Sequence, residues 1–188
     1  MPTEGNIGRP RSAEVDARLI AAALELLREG GPKAVTVEAV AARSGVAKTS
    51  IYRRYRDRDD MIRAAIGSVV TPPDQPPVDD IRGRLAWALG QVRVIMEEVL
   101  GRGGVAALFD DRDPTYTTLV HALLTPYTTA LAGFIEDDTA AGRLRSDLDA
   151  DAAVSLILGS YLGEQMRSGT IGDDWILRCV DLLWHAMT

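Results

Sequence analysis

The sequence is poor in the residues that most often carry chemistry: one cysteine and two histidines among 188 residues. A single thiol excludes an intrachain disulfide and fits a reducing compartment. Cys179 lies within the apolar helical pattern ILRCVDLLW, where a small side chain suits a core or an interface. His121 and His185 are far apart, and neither has a second His or a Cys at metal-ligand spacing, so no metal is expected. No GxSxG, P-loop or dinucleotide fingerprint occurs, and no cofactor is implied. The acid pairs Glu97-Glu98, Asp110-Asp111 and Asp137-Asp138 are adjacent, so on a helix they diverge and cannot face one substrate together. Together these absences speak against an enzyme. Long apolar runs are missing too. The longest, Ala152 to Gly163, is too short to span a bilayer and contains Ser155 and Ser160. The polar, Gly/Pro-rich N-terminus is unlike a signal peptide, and the expectation is a cytoplasmic protein with no membrane partner.

Strand-like alternation is also absent. Apolar residues recur instead at helical spacing, and 46% hydrophobic with 26% charged residues is ordinary for a folded globular chain, so the reading is all-α. The net charge of −6 is unevenly spread: residues 1–66 carry +3 and residues 67–188 carry −9. Cations concentrate between Arg43 and Arg63, and local positive potential of that kind releases counterions from DNA.

That basic stretch holds the most specific pattern in the chain, TVEAVAARSGVAKTSIYRRYRDR, Thr36 to Arg58. Thr36 can cap a two-turn helix with Glu38 in its first turn, and Val37, Val40 and Ala41 share one face. Gly45 supplies the positive φ that a tight interhelical turn needs. Val46, Ile51 and Tyr55 point inward in a second helix, leaving Lys48, Thr49, Ser50, Arg53 and Arg54 outward. Hydroxyls and cations on one face suit a major groove. Ser44-Gly45-Val46, followed by Ile51-Tyr52, Tyr55 and a basic Arg58 behind a Thr-capped helix, resembles the N-terminal domain of the TetR family of transcriptional regulators. The similarity runs over roughly residues 12 to 66. Ala47, Arg54, Tyr55 and Arg58 depart from the commonest pattern, where Ser, His, Phe and Lys are frequent.

Around this unit the sequence predicts an arm at 1–11, a helix capped by Ser12 and ended by Gly30-Gly31-Pro32, and a helix after Arg58. A Pro-rich break at 71–77 precedes a helix from Val78 to Leu100, stopped by Gly101-Arg102-Gly103-Gly104. Asp113-Pro114 opens the next helix, interrupted at Pro126; Asp149 and Asp173-Asp174 open the last two. The organisation expected is a flexible arm (1–11), a three-helix DNA-binding domain with a helix-turn-helix (12–58), and a larger helical ligand-binding and dimerisation domain (59–188).

The resemblance implies a regulator, in most cases a repressor though activation stays open, that binds a palindromic double-stranded DNA operator as a homodimer and responds to a small-molecule effector. Carried onto this sequence, Thr36, Tyr52 and Arg58 anchor phosphates, and Lys48, Thr49, Ser50 and Arg53 meet bases or their flanks, with Arg54 beside them. Candidates for an effector pocket are Trp87, Met96, Phe109, Tyr116, His121, Tyr127, Phe134, Tyr161 and Met166. Candidates for the dimer face are Leu156, Gly159, Gly163, Val180, Leu183 and Trp184. The competing reading is a helical small-molecule-binding or enzyme domain whose N-terminal helix pair binds protein.

Overall fold

The computed structural model describes residues 9–70, 80–110 and 112–188, with side chains from residue 13 onward. The expected arm up to residue 8, the break at 71–77, the helix start at Val78 and Asp111 lie outside the described residues. Among those described there is helix and no strand. In order come α1 (Arg9–Gly30), a 3-10 turn (Pro32–Ala34), α2 (Val37–Ser44), α3 (Lys48–Tyr52), α4 (Arg58–Gly67), α5 (Ile81–Val94), a π-helical stretch (Ile95–Leu100), α6 (Gly101–Leu108), α7 (Pro114–Ala140), α8 (Ala150–Ser168) and α9 (Trp175–Met187). Two compact units result. One is Met1–Thr71 with Glu97–Val120, and the other is Pro72–Met96 with His121–Thr188.

The first unit is built on α1. Leu19, Ala22, Ala23, Leu26 and Leu27 are buried as their spacing predicts, and α2, α4 and α6 all pack on this helix. Helical backbone already at Arg9 places Ser12 inside α1, so it is not the cap. The glycines at 101–104 differ more from expectation. They do not stop the chain in a loop. Gly101 turns it with φ 61°, and the chain re-enters helix at once as α6. The reason is steric. A Cβ on Gly103 would press on the Gly31 nitrogen and come within 2.8 Å of the Leu27 carbonyl oxygen, and one on Gly104 would lie 2.7 Å from the Tyr116 hydroxyl. Backbone therefore lies against backbone where α6 crosses the end of α1, and Gly31 turns there with φ 73°.

In the second unit α5 packs on α8 and α9. Asp80 caps α5 by accepting from the Gly83 N–H at 2.8 Å. Its stripe Ile81, Leu85, Leu89 and Val92 is buried. The buried Asp138 carboxylate accepts from Arg84 at 3.0 Å and from Arg143, so a charge removed from water has two cationic partners. Tyr161 meets Trp175 edge to face at 5.8 Å, which ties α8 to α9. Arg82 pairs with Asp181 and lies over the Trp184 ring, joining α5 to α9. Asp149 caps α8 through the Ala152 N–H at 2.9 Å, as expected. Pro126 does not break α7, which runs through it as one helix of 27 residues.

Two outcomes follow from this packing. Gly103→Ala lowers unfolding stability by about 2–3 kcal/mol, since backbone rather than a flexible tip must yield. Gly133→Ala, whose Cβ meets nothing within 4 Å, changes it little or raises it by up to ~1 kcal/mol through helix propensity. Urea denaturation of the two variants distinguishes them. The second outcome concerns Glu164, only 12% exposed, whose carboxylate accepts from Arg167 on α8 and from Arg178 on α9 at 2.9 Å. Those two guanidinium groups hold its carboxyl at about 2, below the ordinary 4.5. A lowered carboxyl stabilises the fold above its unfolded value and loses that contribution as pH falls through the folded one. Urea midpoints at pH 5 and pH 3 therefore differ more for the wild type than for Glu164→Gln.

Candidate nucleic-acid interface

The interface is assembled from caps and one turn. Thr36 has extended backbone, and its Oγ1 accepts from the Ala39 N–H at 3.1 Å, starting α2 with Glu38 in its first turn. α2 ends at Gly45, φ 67° and ψ 17°, whose N–H donates to the Ala41 carbonyl at 2.9 Å. The turn is sealed from outside as well. Arg18 on α1 donates to the Ser44 carbonyl, from Nε at 3.1 Å, and Ser44 Oγ accepts from the Val46 N–H at 3.2 Å. A Cβ at position 45 would come within 2.9 Å of that same guanidinium, so glycine answers both the φ and the space. Val40, Val46 and Ile51 are buried beneath, and α3 follows with Ala47 at its N-cap and no side-chain cap bond. Ala47 in place of the commoner Ser thus leaves the first turn of α3 without a capping hydroxyl.

The basic residues have unequal standing. Arg53 and Thr49 are exposed, Ser50 is half-buried, and Tyr52 is 62% exposed. Arg53 caps the end of α3 and has no ion-pair partner among the described residues. Lys48 meets the Glu38 carboxylate at 2.9 Å. This hydrogen bond raises the ammonium above its ordinary value and lowers Glu38 below its own. Arg54 does not face outward. Its guanidinium turns back to Asp16 on α1 and to the Ser50 carbonyl at 3.1 Å, bracing α3 against α1. Arg43, counted among the local cations, is held by Glu25 at 3.1 Å and Glu29 at 2.8 Å.

Arg58 is likewise engaged. At the start of α4 it meets Asp59 at 2.7 Å and Asp113 at 2.9 Å. Asp113 is 10% exposed and also accepts from the Tyr116 N–H at 3.2 Å, so one carboxylate caps α7 and holds α4. Asp57 caps α4 through the Asp60 N–H at 2.8 Å. Sequence reasoning missed Arg18, Asp16 and the partner role of Asp113. The signal available was that a helix ended at Ser44 leaves its last carbonyls needing donors.

In the second unit α5, α7 and α8 line a cavity of about 40 Å³. Of the nine pocket candidates it collects Trp87 and Tyr127, alongside Gln91, Val92, Leu124, Leu131 and Leu158. The others lie elsewhere. Met96 and Tyr116 are buried, Tyr161 is packed on Trp175, and Phe134 is half-buried. Phe109 and His121 are exposed, and Met166 is 88% exposed. Of the dimer-face candidates, Leu156, Gly159 and Gly163 are exposed along α8, whereas Val180 is buried within the unit and Leu183 and Trp184 are half-buried. Leu177 and Leu182 are also exposed on α9.

A Thr-capped helix, a glycine turn and a short exposed helix held on a scaffold helix make a helix-turn-helix, an arrangement that can set its second helix in a DNA major groove. Residues 19–65 match the family model of the bacterial regulatory proteins of the tetR family. The chain is 27% identical over 190 residues to YdeS, an HTH-type transcriptional regulator of Bacillus subtilis, an alignment covering 95% of this chain and 91% of the relative. Among solved structures the fold is shared with NalD, the secondary repressor of the MexAB-OprM multidrug efflux pump in Pseudomonas aeruginosa. That match has a TM-score of 0.71 at 17% identity and covers 94% of this chain and 98% of the other. It is shared also with the Bacillus subtilis regulator FadR in complex with stearoyl-CoA, TM-score 0.66 at 17% identity, covering 90% and 95%.

The double duty of Asp113 gives a measurable expectation. Asp113→Ala removes a helix cap and leaves Arg58 with Asp59 alone, lowering unfolding stability by about 1–3 kcal/mol. A loss below ~0.5 kcal/mol in urea denaturation contradicts this role.

Proposed function

We propose that the protein is a ligand-responsive repressor that binds a palindromic operator as a twofold homodimer in the cytoplasm and leaves it when a small molecule occupies the second unit. The observation that carries this reading is the sealed turn at Gly45, which presents Lys48, Thr49, Tyr52 and Arg53 at the surface. Arg53 and Thr49 meet base edges or their flanks, Lys48 exchanges Glu38 for DNA, and Tyr52 and Thr36 meet phosphates. Ser50 is half-buried and contributes at the edge of this face. Arg54 and Arg58 act through their internal pairs, setting the angle of α3 and α4. Functionally, the division falls near residue 58, with 12–58 reading DNA and 59–188 binding effector and partner.

One short helix reads only a few base pairs, so two copies are needed, about 34–36 Å apart on successive major grooves. Leu156, Leu177 and Leu182, exposed on α8 and α9, supply the apolar surface for pairing, and Gly159 and Gly163 leave α8 open to close approach. The neighbour FadR is in complex with stearoyl-CoA, which supports a small-molecule ligand in this fold. Here the cavity wall includes Leu124, Tyr127 and Leu131 of α7, the helix that Asp113 caps. Displacement of α7 is passed through Asp113 and Arg58 to α4. The ligand acts only by its different affinity for the two arrangements.

Selection of duplex from a random pool by the full-length protein is expected to enrich a two-half-site sequence. On that duplex, Lys48→Ala and Arg53→Ala each weaken binding and reduce the slope of log affinity against log salt by about 1. Failure to enrich any duplex, or unchanged affinity in both variants, would favour the competing reading of a protein-binding helix pair.

A further inference from the structure

Three features of the second unit point to the chemistry of its ligand. The first is the wall itself. Trp87, Ala88, Gln91, Val92, Ile95, Leu124, Tyr127, Thr128, Leu131, Val154 and Leu158 include no acid and no cation. The second is the condition of α7. From His121 to Phe134 no residue is fully buried, although Leu123, Leu124, Tyr127, Leu131 and Phe134 all belong to that stretch. Five large apolar side chains half-covered on one helix leave surface that an apolar occupant would remove from water. The third is Gln91, half-buried at this wall, whose carboxamide has no hydrogen-bond partner among the described residues. Thr128 has already committed its hydroxyl proton to the Thr125 carbonyl at 3.1 Å.

We propose that the cavity lined by α5, α7 and α8 binds an uncharged molecule with an apolar, ring-bearing body and one hydrogen-bonding oxygen, which the Gln91 amide meets. The proposal rests on the ligand-responsive reading and specifies its ligand. Trp87 and Tyr127 offer flat faces on which a ring stacks, while Leu124, Leu131 and Leu158 close around its edge. A carboxylate or an ammonium entering here would lose its hydration with no opposite charge on the wall to replace it. A neutral carbonyl or amide oxygen instead gains the N–H of Gln91, which no described residue engages. The space of about 40 Å³ admits only a few waters. The half-covered stretch of α7 is therefore the wall that yields when the body enters.

The test uses the full-length protein and the neutral fluorophore prodan, a naphthalene bearing a carbonyl. Prodan emission is expected to shift to the blue and saturate at one probe per chain. Unlabelled 2-naphthamide should displace it, and 2-naphthoate, the same ring with a negative charge, should be weaker by at least about 100-fold. Gln91→Leu is expected to weaken prodan and 2-naphthamide roughly five- to tenfold while leaving naphthalene, which has no oxygen, within about twofold. Equal displacement by the acid and the amide overturns the proposal. So does the absence of saturable prodan binding, as when a second copy of the chain covers this wall, or an unchanged prodan affinity in Gln91→Leu. The acid-to-amide comparison needs no variant and stands if Gln91→Leu folds poorly. Retention of the selected duplex is read on the same samples. Neutral-selective binding without release of DNA sustains the ligand class and overturns the effector role.

Discussion

Everything in the DNA-reading unit depends on how closely the backbone of α6 lies against the end of α1. Gly31 and Gly103 have no side chains to hold the two chains apart, and a single methyl group on Gly103 would meet the Gly31 nitrogen and the Leu27 carbonyl. Because of that approach, residues that are distant in sequence belong to the same body as the helix-turn-helix. α1 carries α2 and α4 on its flanks, and α6 across its C-terminal turn. The cap of α7 follows within the same unit, and its carboxylate holds Arg58. The first turn of α7 thus belongs to the same unit as the helix-turn-helix.

Charge in this region is sorted by structure rather than pooled. The sequence shows a local excess of cations, and simple electrostatics assigns them all to phosphate. In the fold Arg43, Arg54 and Arg58 are engaged by carboxylates of α1, α4 and the α7 cap, and their first task is to fix helix angles. Lys48 is shared with Glu38, and Arg53 has no such pair among the described residues. Most cations of this stretch therefore already have a carboxylate partner within the fold. Partly exposed pairs contribute modestly each; Arg54 with Asp16 and Lys48 with Glu38 tie the five-residue α3 to α1 and α2.

The local devices were legible because each is decided within a few residues. The Thr36 cap, the positive φ of Gly45, the Asp113 cap and the buried stripes of α1 and α5 follow from spacing and backbone chemistry alone. What the sequence did not disclose was set by partners far along the chain. The glycines at 101–104 read as a stop because the neighbour that requires them, the end of α1, is some seventy residues earlier. Arg54 reads as outward by helical period, and only the position of Asp16 turns it back. Pro126 reads as a break, but a proline can be carried in a long helix. The pocket candidates were chosen for being aromatic or polarizable, whereas the cavity is formed largely by ordinary aliphatic residues brought together by α5, α7 and α8. The periodicity of α5 over Trp87, Ala88, Gln91, Val92 and Ile95 was the available signal for that wall.

The central claim is that α6 and the cap of α7 form one cooperative body with the DNA-reading helices. Native-state hydrogen exchange of the free protein as a function of low denaturant tests it most directly. The amides of α6 are predicted to open with the same free energy and the same denaturant dependence as those of α1 and α2. Exchange of the α6 amides by a local, denaturant-independent opening, while α1 stays protected, would contradict the claim.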